Sequence, residues 1–197
     1  MEYYRLFRHG IAGFSPAPPS LATFQPSQIA LKQQLQFLHL VMTPDVICDD
    51  GIGIEVHLAQ WKARSLCLAE FDLRLVRLEE ERGGWLVATS ILSFTITNTT
   101  LRRGFPRVII TSNQKEEIDK NKLIAAKLLV KRIETASVTR FSWDDAQYRV
   151  ATLQFQADLV TPLLRILGSL EHMESLFRDA LISQEGRVAA PFTAAHR

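Results

Sequence analysis

The stretch FDLRLVRLEEERGGWLVATSILSFTIT, residues 71–97, decides the fold. Phe71, Leu73 and Leu75 alternate with Asp72 and Arg74, the period-two pattern of a strand with one wet face. Val76 and Leu78 then take over the apolar register. Such a parity switch inside one strand predicts a β-bulge, which bends and twists a sheet. Glu79, Glu80, Glu81 and Arg82 read as a solvated hairpin end, and Gly83-Gly84 supplies the turn, because glycine tolerates the positive φ of a tight hairpin. From Trp85 to Thr97 the chain is rich in β-branched residues and apolar on both parities. Leu86, Ala88, Leu92, Phe94 and Ile96 share one face; Trp85, Val87 and Ile91 share the other. Apolar residues on both faces predict a central strand that is covered on both sides.

Helical signals precede this hairpin. The first ten residues read as an amphipathic helix carrying Tyr3, Leu6 and Phe7, with Gly10 as its stop. It starts at residue 1 without a cap, so it either frays there or continues from an upstream segment. Residues 11–27 hold Pro16, Pro18, Pro19 and Pro26 and read as a Pro-rich linker. A second helix follows, with Ser27 as candidate cap and Leu31, Leu35, Leu38 and Met42 on one face, ended by Thr43-Pro44-Asp45. Asp49, Asp50, Gly51 and Gly53 make a turn. A third helix carries Ile54, Leu58, Trp61 and Ser65 at the same 4-3-4 spacing.

After the hairpin, 98–107 reads as a basic, irregular connection and 111–120 as polar and exposed, with a short helix over 120–129. Two strands follow at about 133–143 and 148–157, joined at Asp144-Asp145. Two short helices close the chain, one carrying Leu159, Leu163, Leu164 and Leu167 up to Gly168, the other capped by Ser169. The order predicts an α+β fold, a curved antiparallel sheet wrapped by N-terminal helices with short closing C-terminal helices. The expected division is a helix at 1–10 continuing from an upstream segment, the linker at 11–27, a single domain at 28–185 and a loose tail at 186–197.

Composition narrows the function. The 197 residues are 47% hydrophobic and 22% charged, enough for one sizeable core without disulfide staples. With 23 Lys and Arg against 21 Asp and Glu, the net charge of +2 gives no field for a polyanion. Two cysteines make neither a disulfide framework nor a metal cluster, and suit a reducing, intracellular compartment. No cofactor, metal or membrane contact is expected.

Few residues offer chemistry. Asp45, Asp49 and His57 are candidates for proton transfer at a pocket mouth, with Asp50 and His39 nearby in sequence, but Asp49-Asp50-Gly51 reads first as turn chemistry. Trp143-Asp144-Asp145 reads as a hairpin turn rather than a metal site. The densest basic patch, Leu101 to Arg107 with Phe105 inside it, could engage phosphates and bases, yet neighbouring acids argue for a mixed, solvated surface. No nucleophile motif, phosphate loop or dinucleotide fingerprint is present. The expected ligand pocket is His57, Trp61, Phe94, Phe141 and Phe155, and the expected dimer surface is Trp85, Val87 and Ile91.

An ordered series of strings adds a resemblance: Tyr3 to Gly10, Met42-Thr43-Pro44-Asp45-Val46, Gln60-Trp61-Lys62, Val87-Ala88-Thr89, Thr99-Thr100-Leu101-Arg102, Phe105-Pro106, Phe141-Ser142-Trp143-Asp144, Asp158 to Leu164, and Ala180-Leu181-Ile182. Over residues 3–187 this resembles the C-terminal domain that follows the zipper in oomycete-type basic leucine zipper (bZIP) transcription factors. That resemblance implies a cone-shaped, nuclear-transport-factor-2-like (snoaL-like) fold and a place in transcription regulation, with the nucleus as the favoured location. The sequence carries no basic region and no zipper heptads, so no DNA-contacting residue carries over and no direct DNA contact is expected. The function expected is a non-catalytic accessory or regulatory domain acting as a homodimer, or by binding a transcription-factor partner or a small hydrophobic ligand. The alternative is a snoaL-like cyclase or isomerase, or a hydrophobic-ligand carrier.

Overall fold

In the computed structural model, which describes residues 1–14, 24–81, 83–109 and 115–189, the chain runs α1 (Glu2–Leu6), α2 (Phe24–Val41), β1 (Met42–Cys48), β2 (Gly51–Ile52), α3 (Ile54–Cys67), β3 (Ala69–Glu81) and β4 (Trp85–Thr95). It continues through α4 (Asn98–Gly104), α5 (Pro106–Ile109), α6 (Lys115–Leu128), β5 (Arg132–Asp144), β6 (Arg149–Ala157), α7 (Val160–Leu167) and α8 (Leu170–Phe177). The α+β class read from the sequence holds. One six-stranded sheet, ordered β2-β1-β6-β5-β4-β3, carries the helices.

The decisive hairpin forms as expected. β3 pairs antiparallel with β4, and the register shifts between Leu75 and Arg77, where the apolar parity switched. Leu73 is buried, whereas Val76 at the shift is exposed. β4 is paired on both edges, to β3 and β5. Its Ala88, Leu92 and Phe94 are buried, but Trp85, Val87 and Ile91 on the other face are only half-covered.

Five expectations need correction. The sheet is antiparallel except at β1 and β6, which run parallel. β1 itself falls where Thr43-Pro44-Asp45 reads as a helix stop. Pro44 does end α2, but buried Val46 and the strand former Ile47 pull the chain straight into the sheet. The ladder to β6 breaks between Met42 and Ile47, around the proline that cannot donate. Ser27 lies within α2 rather than capping it. The basic connection at 98–107 is two short helices: Thr97 caps α4 through a capping box with Thr100, and Leu101, Phe105 and Val108 fall on one buried side. The helix expected from Lys120 begins at Lys115.

The termini also differ. α1 covers Glu2–Leu6 instead of all ten residues, and residues 186–189 are not loose. Val188 is buried and bridges Ile182, and the Ala157 N–H donates to the Glu185 carbonyl. Residues 190–197 and the segment 15–23 within the expected linker lie outside the described residues. One hydrophobic cluster joins both sides of that segment: Tyr3, Tyr4, Phe7 and Ile11 pack in the same core as Leu38, Trp61, Phe94, Phe141 and Leu163. Gly168 ends α7 in the left-handed region and Ser169 caps α8, as read from the sequence.

Candidate functional site

α3 lies against the inner face of the sheet. Its Trp61 ring meets Phe71 of β3 edge-on at 5.8 Å, and its Arg64 guanidinium sits 4.1 Å from the Phe155 ring centroid on β6. Ile54, Leu58, Trp61 and Ser65 are all buried, as the 4-3-4 spacing requires. A second stripe beside them carries His57, Gln60 and Arg64, and these polar side chains are buried too. A helix with so wide a buried surface encloses polar groups rather than only apolar ones.

The N-terminal segment enters this interior. Gly10 turns the chain after α1 with φ +84°, and a Cβ there would collide with Ser65 Oγ, so only glycine fits. The same hydroxyl accepts from the Ile11 N–H at 2.8 Å. Gln34 of α2 ties the turn down, donating to the Leu6 and Gly10 carbonyls while its Oε1 accepts from the Ala12 N–H. Thus held, α1 inserts Tyr3, Tyr4 and Phe7. Phe7 packs on Trp61 with the rings tilted by 31° and their centroids 4.9 Å apart, and Tyr3 meets Phe141 edge-on at 5.6 Å.

A triangle of hydrogen bonds forms where Tyr3 reaches α3. The Trp61 Nε1–H donates to His57 Nε2 and to Tyr3 Oη, each at 3.1 Å, and Tyr3 Oη lies 3.2 Å from His57 Nε2. Burial, aided by the nearby Arg64 charge, pulls the His57 pKa down to about 3, so its ring is neutral at physiological pH and Nε2 accepts. Burial pushes the Tyr3 phenol well above its ordinary value. Beneath, Tyr4 donates to Thr139 Oγ1 at 2.9 Å, and Ser90 and Ser137 hydroxyls meet at 2.9 Å. The sheet's inner face is therefore hydroxyl-rich under the tyrosines.

The Arg64 Nε has no hydrogen-bond partner among the described residues. The guanidinium stacks on Phe155 and lies 5.5 Å from Trp61, and burial pulls its pKa down while Asp50 and Asp49 oppose that shift. Asp49 accepts from the Phe155 N–H at 2.6 Å, just past the end of β1. A cleft of about 290 Å³ opens at this point, lined by Asp49, Arg140, Gln154, Phe155, Gln156 and Arg187 among others.

The sequence-predicted residues therefore sort as follows. His57, Trp61 and Phe141 come together, but around Tyr3. Phe94 and Phe155 are buried in the same core, with Phe155 also lining the cleft. Of the proton-transfer set, Asp45 is exposed on β1, Asp49 holds a backbone N–H, and His57 bonds Tyr3 and Trp61 rather than a carboxylate. In the basic patch, Phe105 is buried and unavailable to stack on a base, and Arg107 is paired with Glu117 and Asp179. Asp144 accepts from the Ala146 and Gln147 N–H groups, which is turn chemistry. Among the described residues no cluster of His, Cys, Asp or Glu could hold a metal, and no helix is long and apolar enough to cross a membrane.

Trp85, Val87 and Ile91 lie on the outer face of the sheet. Cross-strand register places Ile52, Ile47, Thr152, Ser142 and Trp85 in one row, with Ile47 54% and Ile52 66% exposed. Val87 faces Arg140 and Glu79, Thr89 faces Val138 and Arg77, and Ile91 faces Ala136 and Arg74. An apolar field interleaved with both signs of charge results.

The fold and interior define an α+β domain in which an aromatic N-terminal segment fills a polar-lined space between helix and sheet. Residues 1–67 match the family model described as the BZIP transcription factor 1 C-terminal domain, so the first third of the chain carries that family's signature. The bZIP-domain resemblance read from the sequence holds there. Among solved structures, TsrD from Streptomyces laurentii is similar at 18% identity and TM-score 0.45, over 78% of this chain and 100% of that one. A putative SnoaL-like polyketide cyclase from Jannaschia sp. CCS1 is similar at 14% identity and TM-score 0.44, over 78% and 99%. An NTF2-like protein of unknown function from Exiguobacterium sp. 255-15 is similar at 7% identity and TM-score 0.46, over 80% and 96%. Comparison with curated proteins returns no match.

Gln60, Arg64, Tyr3 and Tyr4 were not anticipated at the site. The i, i+3, i+7 spacing of His57, Gln60 and Arg64 beside the Trp61 stripe is the signal that marks the first two. The tyrosines come from a segment 54 residues away in sequence, and no local pattern announces that contact.

Proposed function

We propose that this chain is a non-catalytic regulatory domain of the bZIP-associated kind, acting in transcription by self-association through the outer face of its sheet. The observation that carries the reading is that face. Ile47 and Ile52 are exposed, and Trp85, Val87 and Ile91 are only half-covered. A second copy, placed by a two-fold axis, would cover the same patch on each partner, and mixed charges suit such a pairing, since Arg74, Arg77 and Arg140 can meet Glu79, Glu81 and Glu134 of the other copy. Within a larger assembly the domain would join or select zipper partners in the nucleus, leaving base reading to a basic region.

The interior supports a non-catalytic reading. A general base needs an accessible proton acceptor within hydrogen-bond reach of its substrate. His57 Nε2 is already engaged by Trp61 and Tyr3, which weighs against a cyclase or isomerase mechanism built on it.

Sedimentation of the full chain across a concentration series tests the proposal. The expected result is a dimer that Val87→Glu together with Ile91→Glu converts to a folded monomer, because buried like charges at a two-fold interface repel. A wild-type chain that stays monomeric at the highest concentration would overturn it.

A further inference from the structure

We propose that the exposed corner between α6 and α8 docks an acidic amphipathic helix of a partner protein. Along the second half of α6, Leu123 and Ala126 are exposed, and Val130 follows just past the helix end. Spacings of three and four residues place all three on one stripe. Leu123 is 45% and Val130 76% exposed, and Leu170, the first residue of α8, is 74% exposed. Two ties bring the leucines to one place. Lys120 Nζ donates to Glu171 Oε1 at 2.7 Å, and Lys127 Nζ donates to the Leu167 carbonyl at 2.8 Å. Leu123 lies one helical turn from both lysines, and Leu170 lies between the two residues they hold. Val130 is a second, independent observation. Its backbone sits in the left-handed region at φ +63°, held there by hydrogen bonds from its N–H to the Ile96 carbonyl and from the Lys131 N–H to the Leu128 carbonyl. A β-branched residue is strained at that φ, and a side chain left in solvent gains no burial to offset the strain. Asparagine or glycine would suit that backbone better, so the valine calls for a contact outside the chain.

Charge selects the occupant. From residue 120 to residue 132 the chain carries Lys120, Lys122, Lys127, Lys131 and Arg132 and no Asp or Glu. Lys122, Lys131 and Arg165 in the last turn of α7 make no ion pair among the described residues. Of the nearby acids, Glu171 is held by Lys120 and Glu174 by Arg178, while Glu116 and Asp119 lie toward the opposite end of α6. Residues 15–23, Arg82, 110–114 and 190–197 contain no Asp or Glu, so none of them brings the complementary charge. A second copy placed by a two-fold axis would set lysines against lysines. A lipid surface calls for a broad apolar face with aromatic residues, and this narrow stripe has none. Ala126, small between Leu123 and Val130, leaves a notch for one apolar side chain of a helix laid across it. The partner helix therefore carries apolar anchors at helical spacing, flanked by Asp and Glu that meet the lysines.

The corner belongs to helices and not to the outer face of the sheet, so its test stands whether or not copies associate there. Fluorescence anisotropy would titrate the full chain into a labelled peptide of about 15 leucine and glutamate residues, with the leucines at helical spacing. Two control peptides replace every glutamate by lysine or every leucine by alanine. The expected result is saturable binding of the leucine–glutamate peptide, at least about tenfold tighter than either control and weakened by added salt. Leu123→Gln together with Leu170→Gln, and separately Lys122→Glu with Lys131→Glu, should each weaken it by about tenfold or more. Val130→Asn should weaken binding while raising the melting temperature, because asparagine accepts the left-handed backbone. Absence of saturable binding, equal binding of a control, or unchanged binding in the leucine pair would overturn the proposal. Binding to phosphatidylserine vesicles but not to the peptide would assign the corner to a lipid surface. Self-association lost in the leucine pair, with no peptide bound by the wild type, would assign it to a second copy; either result also overturns the proposal. If one pair of substitutions fails to fold, the other pair and the wild-type comparison of peptides decide.

Discussion

Residue by residue, the interior is governed by what burial does to polar groups. His57 stays neutral down to about pH 3 in the folded chain, whereas the ordinary value that applies on unfolding is 6.5. Between those values the unfolded state holds more protons, so this contribution is fully present above pH 6.5 and declines as pH falls through the window. The slope approaches about 1.4 kcal/mol per pH unit. Urea unfolding at pH 7.5, 6.0 and 5.0 should show this loss, and His57→Gln should flatten it; parallel slopes in both chains would refute the assignment. Reading the sequence picks out His57 and Trp61 because helical spacing sets them near the core stripe. Tyr3, Tyr4 and Arg64 escape it. Their burial depends on contacts across the chain, and an arginine beside Lys62 reads as a solvated face until the fold encloses it.

At the scale of elements, the legible parts are those whose signals are local. The bulge between Leu75 and Arg77 follows from a parity switch, and the α7 stop follows from Gly168. β1 and the α4–α5 pair were hidden because stronger local signals masked them: Pro44 and Asp45 over the strand, four arginine and glycine positions over the helices. In α4 the sequence does hold a start signal, the Thr97 and Thr100 capping box. Thr97→Ala should cost about 1 kcal/mol, within a range of about 0.5–2, read as a lower urea midpoint at unchanged slope. A loss well below that range would mean that tertiary packing of Leu101 and Phe105 alone fixes the helix. Gly104 constrains the same helix from its far end, since a Cβ there would lie 2.8 Å from Ile182 Cγ1 and 3.3 Å from Cys67 Sγ.

For the molecule as a whole, the expected domain start at residue 28 and the observed core differ in one consequential way. The segment before the proline-rich stretch supplies Tyr3, Tyr4, Phe7 and Ile11 to the one hydrophobic cluster. Removing residues 1–11 should therefore expose Trp61 and Phe141, shift tryptophan emission to the red and raise binding of a hydrophobic dye. Unchanged emission and an unchanged melting curve would show that the segment is dispensable. No periodicity within the first fourteen residues could reveal this, because amphipathic helices that dock and those that fray share one pattern.

The parallel pairing of β1 with β6 has a consequence in time. Met42–Cys48 must wait for Arg149–Ala157 before its ladder can close, roughly a hundred residues later, and the tyrosines of α1 wait for Phe141 and Thr139. Contacts of such long sequence separation fold slowly, on the order of milliseconds to seconds. A chain still on the ribosome therefore carries an aromatic N-terminal segment with nowhere to bury it until β5 and β6 emerge. During that interval the nascent protein depends on chaperones, or on its own charges, to remain in solution.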